Sequence, residues 1–567
     1  MHLSQLGSSQ SVVSQAQGKT HRKAKAIPVQ VLDHCTVCIE EQLFSQAFSL
    51  LTNSLTAGNG TEHKARVPPI QHLALAATLA VHPLMTTRTT SVDKHAAADD
   101  ALAYLKLVNR VVGPQNSGLN RAFAFGEEGL SSSRAAKRTN KSRPPELTGS
   151  DDEENQAGYI RSSFAKKESL WTNVEDFWSV VGWAFNCSVS HPSRWERWKL
   201  WLDCALEVLE DDLEIRLPAA TRAYEEGGGS TEAVRETLKD SAFARYLAPI
   251  GHGRNDKRRL MRAVLANGQK KDLAEFGEVW KGETKGPKVK KEEPVGKRRN
   301  LDLENGQFGD YFDDESDRNS PGGDSPRRSR STTAFSTSKR SRTQSAYNSG
   351  DSGDELQGPN TPTSNATPSN DLTSFGGNTS LHLRKRILAL LSRFCALNPD
   401  AFLDTEDLFD LYTEFLRPLP LPIFTSFVLP STPWLGPNSQ ASLNQMLLRP
   451  LLAGTAPAYN ENQLTQADFE QFYAPFAASK TGAVENARVG VLVEGLLRLL
   501  WGAGGLSTGE GCLIVTVEKG IRERRGKSDG VDGRRRAGTK AKEEEEATRV
   551  LEASAERMRM VLDLLGD

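Results

Sequence analysis

The sequence has little cysteine. Six residues (Cys35, Cys38, Cys187, Cys204, Cys395 and Cys512) are scattered over 567 positions. They are too few and too dispersed for a disulfide framework, which favours a reducing compartment. No apolar run approaches the ~20 residues that span a bilayer, and the opening MHLSQLGSSQ holds no signal-peptide core, so no membrane association is expected. The chain also lacks net charge: the formal balance is −1, which removes any global electrostatic bias. Its hydrophobic share of 37% is low for a wholly globular chain and points to long disordered stretches beside well-packed ones.

Catalytic signatures are missing as well. There is no P-loop, no Gly-x-Gly-x-x-Gly after a strand, no His-Glu-x-x-His and no Gly-x-Ser-x-Gly elbow. Asp151-Asp152 and Asp313-Asp314 fall in segments expected to be disordered, without rigid surroundings to hold a metal. Gly251-His252-Gly253 reads as a turn. Cys35 and Cys38 follow His34, but the next candidate ligands, Cys187 and His191, lie about 150 residues away. Structural zinc sites gather ligands from nearby turns, and a spacing of three places both thiols on one helix face. No catalytic, metal or cofactor residue is expected.

What is abundant is tryptophan in one place. Trp171, Trp178, Trp183, Trp195, Trp198 and Trp201 are six of the nine in the chain. Thr172 to Glu175 fits a capping box, and Val174, Phe177, Trp178, Val181 and Phe185 follow at helical spacing. His191-Pro192 ends that helix. Ser193 to Glu196 fits a second box, followed by Trp195, Trp198, Leu202, Leu206 and Leu209. The rings sit at core spacing, so an αα-hairpin core is expected rather than an aromatic cage. The acidic end (Glu207, Glu210, Asp211, Asp212 and Glu214) is expected to face solvent, and Pro218 to start a new short helix.

Further helices are read from apolar periodicity. Residues 29–113 give a first helix through Val31, Cys35, Cys38, Phe44 and Leu51, a second after Pro68-Pro69, and a third capped by Ser91. Arg254, Lys257, Arg258, Arg259 and Arg262 form a basic helical face, taken as solvated. Leu383, Ile387, Leu390, Leu391 and Phe394 make a stripe, as do Leu408, Leu411, Tyr412 and Phe415. Pro418, Pro420 and Pro422 predict an extended connector, and Cys512 to Val517 a lone strand or buried extended segment. Leu551, Ala555, Met558, Leu562 and Leu565 mark a terminal helix able to dock on the C-terminal bundle or on another chain.

The expected fold is all-α: two helical bundle or α-solenoid-like domains joined by a long disordered linker. Residues 1–27 form a Ser/Gln tail, 28–113 the N-terminal helices, 114–168 a linker and 169–280 the Trp-rich region packing on 28–113. The regulated linker covers 281–378, the C-terminal helical domain 379–520, a charged linker 521–546 and the terminal helix 547–567.

Short motifs gather in these linkers. Ser4, Ser9 and Ser14 each precede Gln, so the tail resembles a cluster of checkpoint-kinase sites. Ser150 opens an acidic run that resembles an acidophilic casein-kinase site. Ser325-Pro326-Arg327-Arg328 matches the preferred cyclin-dependent kinase site, and Ser320, Thr361 and Thr367 are minimal matches. Lys288, Lys290 and Lys291 with Lys297, Arg298 and Arg299 resemble a bipartite nuclear import signal read by importin, and Lys290 lies in a SUMO-type ψ-K-x-E. Phosphate in such segments would add about −2 charges per site.

These features predict a nuclear, phospho-regulated, non-enzymatic scaffold or adaptor that binds other proteins in chromosome maintenance, the DNA-damage response or the cell cycle. The alternative is an RNA-processing or ribosome-biogenesis assembly factor that contacts nucleic acid through its basic linkers. A cryptic enzyme assembled in space is the remaining class.

Overall fold

A computed structural model describes residues 21–58, 63–125, 160–228, 231–251, 253–287, 371–452, 463–507, 512–529 and 539–566. These residues are almost wholly helical. Two helical regions, one on each side of 288–370, give the all-α layout. The exception is a three-residue parallel pair, β1 (Ala24–Ala26) with β2 (Ala65–Val67), Ala24 facing Ala65.

The first region opens with α1 (Val29–Glu40) and α2 (Phe44–Thr56). The single helix expected there is broken at Gln42, which takes a φ of 61°. α3 (Ile70–Val81) is buried over most of its length and packs on α4 (Val92–Val112), whose first turn is capped by the Ser91 hydroxyl. α5 (Phe177–Ser190) and α6 (Pro192–Glu226) form the tryptophan hairpin. Their starts differ from the two expected capping boxes. Asp176 caps α5 by accepting from the Ser179 N–H, and α6 begins on Pro192, whose missing N–H suits a first turn. α6 also runs through Pro218 instead of ending before it. Residues on both sides are pinned, with Arg216 clasping Asp212 and Ala220 buried. α7 (Thr231–Lys239), α8 (Ala242–Leu247), α9 (Arg254–Leu265) and α10 (Lys270–Glu275) complete the region.

The second region holds α11 (Gly377–Leu397), α12 (Thr405–Leu416), α13 (Leu421–Val428), α14 (Pro437–Leu448), α15 (Ala483–Gly502), α16 (Cys512–Asp529) and α17 (Thr539–Gly566). The proline-rich connector is a helix, α13. Pro422 sits in its first turn, where no intrahelical N–H is required. Cys512 to Val517 is the start of α16 rather than a strand. Leu513, Val517 and Ile521 recur at helical spacing as its buried side. Gly520 permits a close crossing there, since a Cβ would lie 1.8 Å from the Ala474 carbonyl oxygen. α17 docks on α15, where Glu494, fully buried, accepts both prongs of the Arg557 guanidinium at 2.7 and 2.8 Å.

Folded structure also extends past the composition-based boundaries. It includes 21–27, 114–125, 160–168, 281–287, 371–378 and the ends of α16 and α17. The reason is clearest at Glu283, in a polar stretch assigned to the linker. Its carboxylate is fully buried. One oxygen accepts from Trp183 Nε1 (2.7 Å), Trp198 Nε1 (3.1 Å) and Arg194 Nε (3.0 Å), and the other from the Trp280 N–H (3.0 Å). Arg194, also buried, spends its remaining donors on Thr86 Oγ1 and the Val81 carbonyl. A polar residue can be the centre of a core when every lone pair and proton is matched.

Three more indoles of the cluster donate to backbone carbonyls: Trp171 to Ala74, Trp201 to Ala77 and Trp178 to Tyr246. The hairpin therefore packs on α3 and α8 as core. Next to the node, His82 lies between the Phe164 and Trp280 rings, 4.8 Å from each. Burial, reinforced by Arg194 and Arg88, pushes its pKa down to about 3.

Two outcomes follow for unfolding by denaturant. Glu283→Ala leaves Arg194 buried without its counter-charge and should cost about 3–5 kcal/mol. His82 stays neutral in the folded chain while the unfolded histidine protonates near pH 6.5. Its contribution is thus complete above about pH 6.5 and is lost as pH falls toward its folded value. His82→Phe should flatten the decline in unfolding midpoint between pH 6.5 and 4.5.

Candidate functional site

The sequence-derived site residues lie outside the described residues. This holds for Ser4, Ser9, Ser14, Ser150, Ser320, Ser325, Thr361 and Thr367, and for Lys288, Lys290, Lys291, Lys297, Arg298 and Arg299. His252 does too. Cys35 and Cys38 are both buried on the core side of α1, where burial raises the Cys35 thiol to about 11. Among the described residues no three His, Cys, Asp or Glu side chains gather as a metal site, and no helix is long and apolar enough to cross a membrane.

The geometry assembles a different site from two helices far apart in sequence. The acidic end of α6 was expected to face solvent, but it forms a seam with α11 and α4. Arg386 donates to Glu210 through Nε (3.0 Å) and Nη2 (2.7 Å) and to Asp203 through Nη1 (2.7 Å). Arg393 pairs with Glu214 at 2.8 Å. From the other side Lys106 reaches Asp203 at 2.7 Å, and Asn109 donates to Asp211 at 2.7 Å. Asp212 is fully buried and accepts from the Ala242 N–H and Arg216. Burial pulls the Asp203 carboxyl upward, but hydrogen bonds from Lys106 and Arg386 outweigh it and leave its pKa below the usual range.

Two residues before Arg386, Arg384 is wholly buried and pairs with no carboxylate. It donates to the Val264 and Ala266 carbonyls at 2.6 and 2.8 Å, at the end of α9, where a cation complements the helix dipole. Its guanidinium is stacked between Phe185 and Phe375, 4.1 and 4.7 Å from the ring centres, and burial lowers its pKa to about 9.

Above this seam lies a groove of about 1320 Å³. Glu210, Glu214, Ile215 and Pro218 of α6 line one wall, and Lys385, Arg386 and Arg393 of α11 the other. Leu429, Pro430 and Trp434, after α13, form the third side, and Leu372 closes one end. The apolar side chains here are partly exposed, with Ile215 at 36%. The neighbouring cations are spent on Glu210 and Glu214, but Lys385 is not. Among the described residues it pairs with no carboxylate, and its amine lies 5.5 Å from the Phe427 ring centre. Burial lowers its pKa. The groove thus offers an apolar trough with one half-buried cation, a surface suited to an extended or helical peptide carrying an acidic residue.

The basic face of α9, expected to be solvated, is so at Arg254, which is 79% exposed, but three of its cations are paired. Arg258 pairs with Glu414, Arg259 with Asp176 and Arg262 with Glu275, each at 2.7 Å. Sequence reading missed the groove because its walls are some 170 residues apart. The only local signal was the complementarity between the acidic run after Leu206 and the basic Arg384-Lys385-Arg386.

Compared with known proteins, the chain matches no family model, no curated protein and no solved structure.

The seam makes a testable claim. With a protease site inserted between 330 and 340 and cut, the two halves should still elute together. Arg384→Ala combined with Arg386→Ala should separate them or raise the concentration needed for co-elution at least tenfold.

Proposed function

We propose that the chain is a non-enzymatic helical adaptor that holds an amphipathic, acid-bearing segment of a partner protein in the groove between α6, α11 and the turn after α13. The observation that carries this reading is the groove itself, in which partly exposed apolar walls converge on Lys385, whose charge no carboxylate among the described residues balances. A partner carboxylate there would relieve a desolvated cation, and the apolar walls would supply the burial.

The sequence supports a nuclear setting. Its basic clusters suit importin, and its Ser-Gln and Ser-Pro sites suit kinases that act on chromosome maintenance, the damage response or the cell cycle. The RNA-assembly alternative draws less support. Three of the five cations on the basic face of α9 are already paired, with Glu414, Asp176 and Glu275, which leaves few free charges there for a phosphate backbone.

A photo-crosslinking residue at Ile215 should capture a discrete nuclear partner that the same residue at exposed Arg522 does not. With that partner purified, Lys385→Glu should weaken binding at least tenfold while leaving the circular dichroism and melting temperature of the adaptor unchanged. Undiminished binding by Lys385→Glu would remove the groove from the reading. A partner set made only of RNA-binding proteins, lost on nuclease treatment, would favour the alternative.

A further inference from the structure

A second cavity, of about 540 Å³, lies on the other side of α11, where α7, α8 and α9 meet the turn that follows Leu397. We propose that it binds a phosphate monoester.

Its wall carries Arg235, Lys239 and Lys257 against two acids, Glu236 and Asp400. Both acids are already engaged, Asp400 by Arg235 and Glu236 by Lys239. Lys257 is left without an acid among the described residues, and a second hydrogen-bonding group around the cavity, Asn398, lacks a partner. Lys257 forms no ion pair among the described residues, and its amine sits only near the Phe402 ring, 5.9 Å from the centroid. Asn398 is 5% exposed, and its side-chain amide has no hydrogen-bond partner among the described residues. Arg235 is taken by Glu232 and Asp400 through its Nη atoms.

Lys257 and Asn398 come from separate elements, α9 and the turn after Leu397, and no hydrogen bond joins them among the described residues. The missing complement is an anion with several acceptor oxygens spread in space. A phosphate presents three oxygens and a charge near −2, whereas a carboxylate presents two in one plane. The opposite side of the cavity is apolar, formed by Leu247, Ile250 and Phe402, and would hold the carbon arm of an ester. The volume falls within the range of small-ligand sites. The site shares no lining residue with the α6–α11 groove, so the inference stands apart from the adaptor reading.

The test is calorimetric titration of the full chain with inorganic phosphate, phenyl phosphate, O-phosphoserine and an octapeptide containing one phosphoserine. Phenyl phosphate should bind at least tenfold more tightly than inorganic phosphate. Lys257→Gln and Asn398→Leu should each lower that affinity at least tenfold. Lys257→Arg should stay within about threefold of the parent and controls for folding, as does the melting temperature of each variant. A phosphopeptide that binds more tightly than O-phosphoserine assigns the source to a phosphorylated protein, and equal affinities assign it to a small metabolite. Absence of binding by every probe at 5 mM (roughly the weak end of specific recognition) overturns the proposal. So does binding that Lys257→Gln and Asn398→Leu leave unchanged.

Discussion

The carboxylate of Glu283 is the constraint on which the first helical region depends. A buried charge is tolerated only with a counter-charge and full hydrogen bonding. Here Arg194 provides the first, and two indoles and a backbone N–H provide the rest. The arrangement fixes α5 against α6, because Trp183 and Trp198 must both point at the same oxygen. It fixes α6 against the end of α3, because Arg194 also reaches Val81 and Thr86. It brings in the chain after α10, because Glu283 itself belongs to that segment. A hydrophobic cluster alone would tolerate sliding of one helix on another. A carboxylate with four directed donors does not.

The second region is attached by arginine as well as by carbon, the latter including the buried Phe243–Phe394 ring pair. Arg384, Arg386 and Arg393 lie on one helix and reach three different kinds of acceptor: helix-terminal carbonyls, a pair of carboxylates and a single exposed carboxylate. The buried contact at Arg384 is dry and directional, and the outer ones are graded toward solvent. Such a seam is specific without being wholly apolar. It also leaves a trough above it, since charged side chains hold the helix walls apart where leucines would have closed them. The candidate site is in this sense a by-product of how the two regions are joined.

Much of the helical layout was legible from periodicity. The tryptophan hairpin, the Ser91 cap and the stripes of α11, α12 and α15 stand where apolar spacing places them. The misses share a physical origin. Proline was read as a breaker at 218 and 422, yet one position is pinned within a packed helix and the other is a first-turn residue. Cys512 to Val517 was read as a lone strand or buried extended segment, but the helical spacing of Leu513 and Val517 decided it. Charge runs at 207–214 and 254–262 were read as solvated, but each had a complementary partner elsewhere in the chain.

The sequence by itself determined the helical class, the positions of most helices and the Trp-rich core, because these depend on the local spacing of apolar side chains. It also carries the short modification and import motifs, which are read as linear strings. Tertiary structure alone decided that Glu283 is a core residue, that the acidic end of α6 meets α11, and that Lys385 and Lys257 line cavities while pairing with no carboxylate among the described residues. Each of these turns on which distant groups come within hydrogen-bond reach. Electrostatic complementarity between residues far apart in sequence, such as Arg194 and Glu283, leaves no periodic trace in the chain.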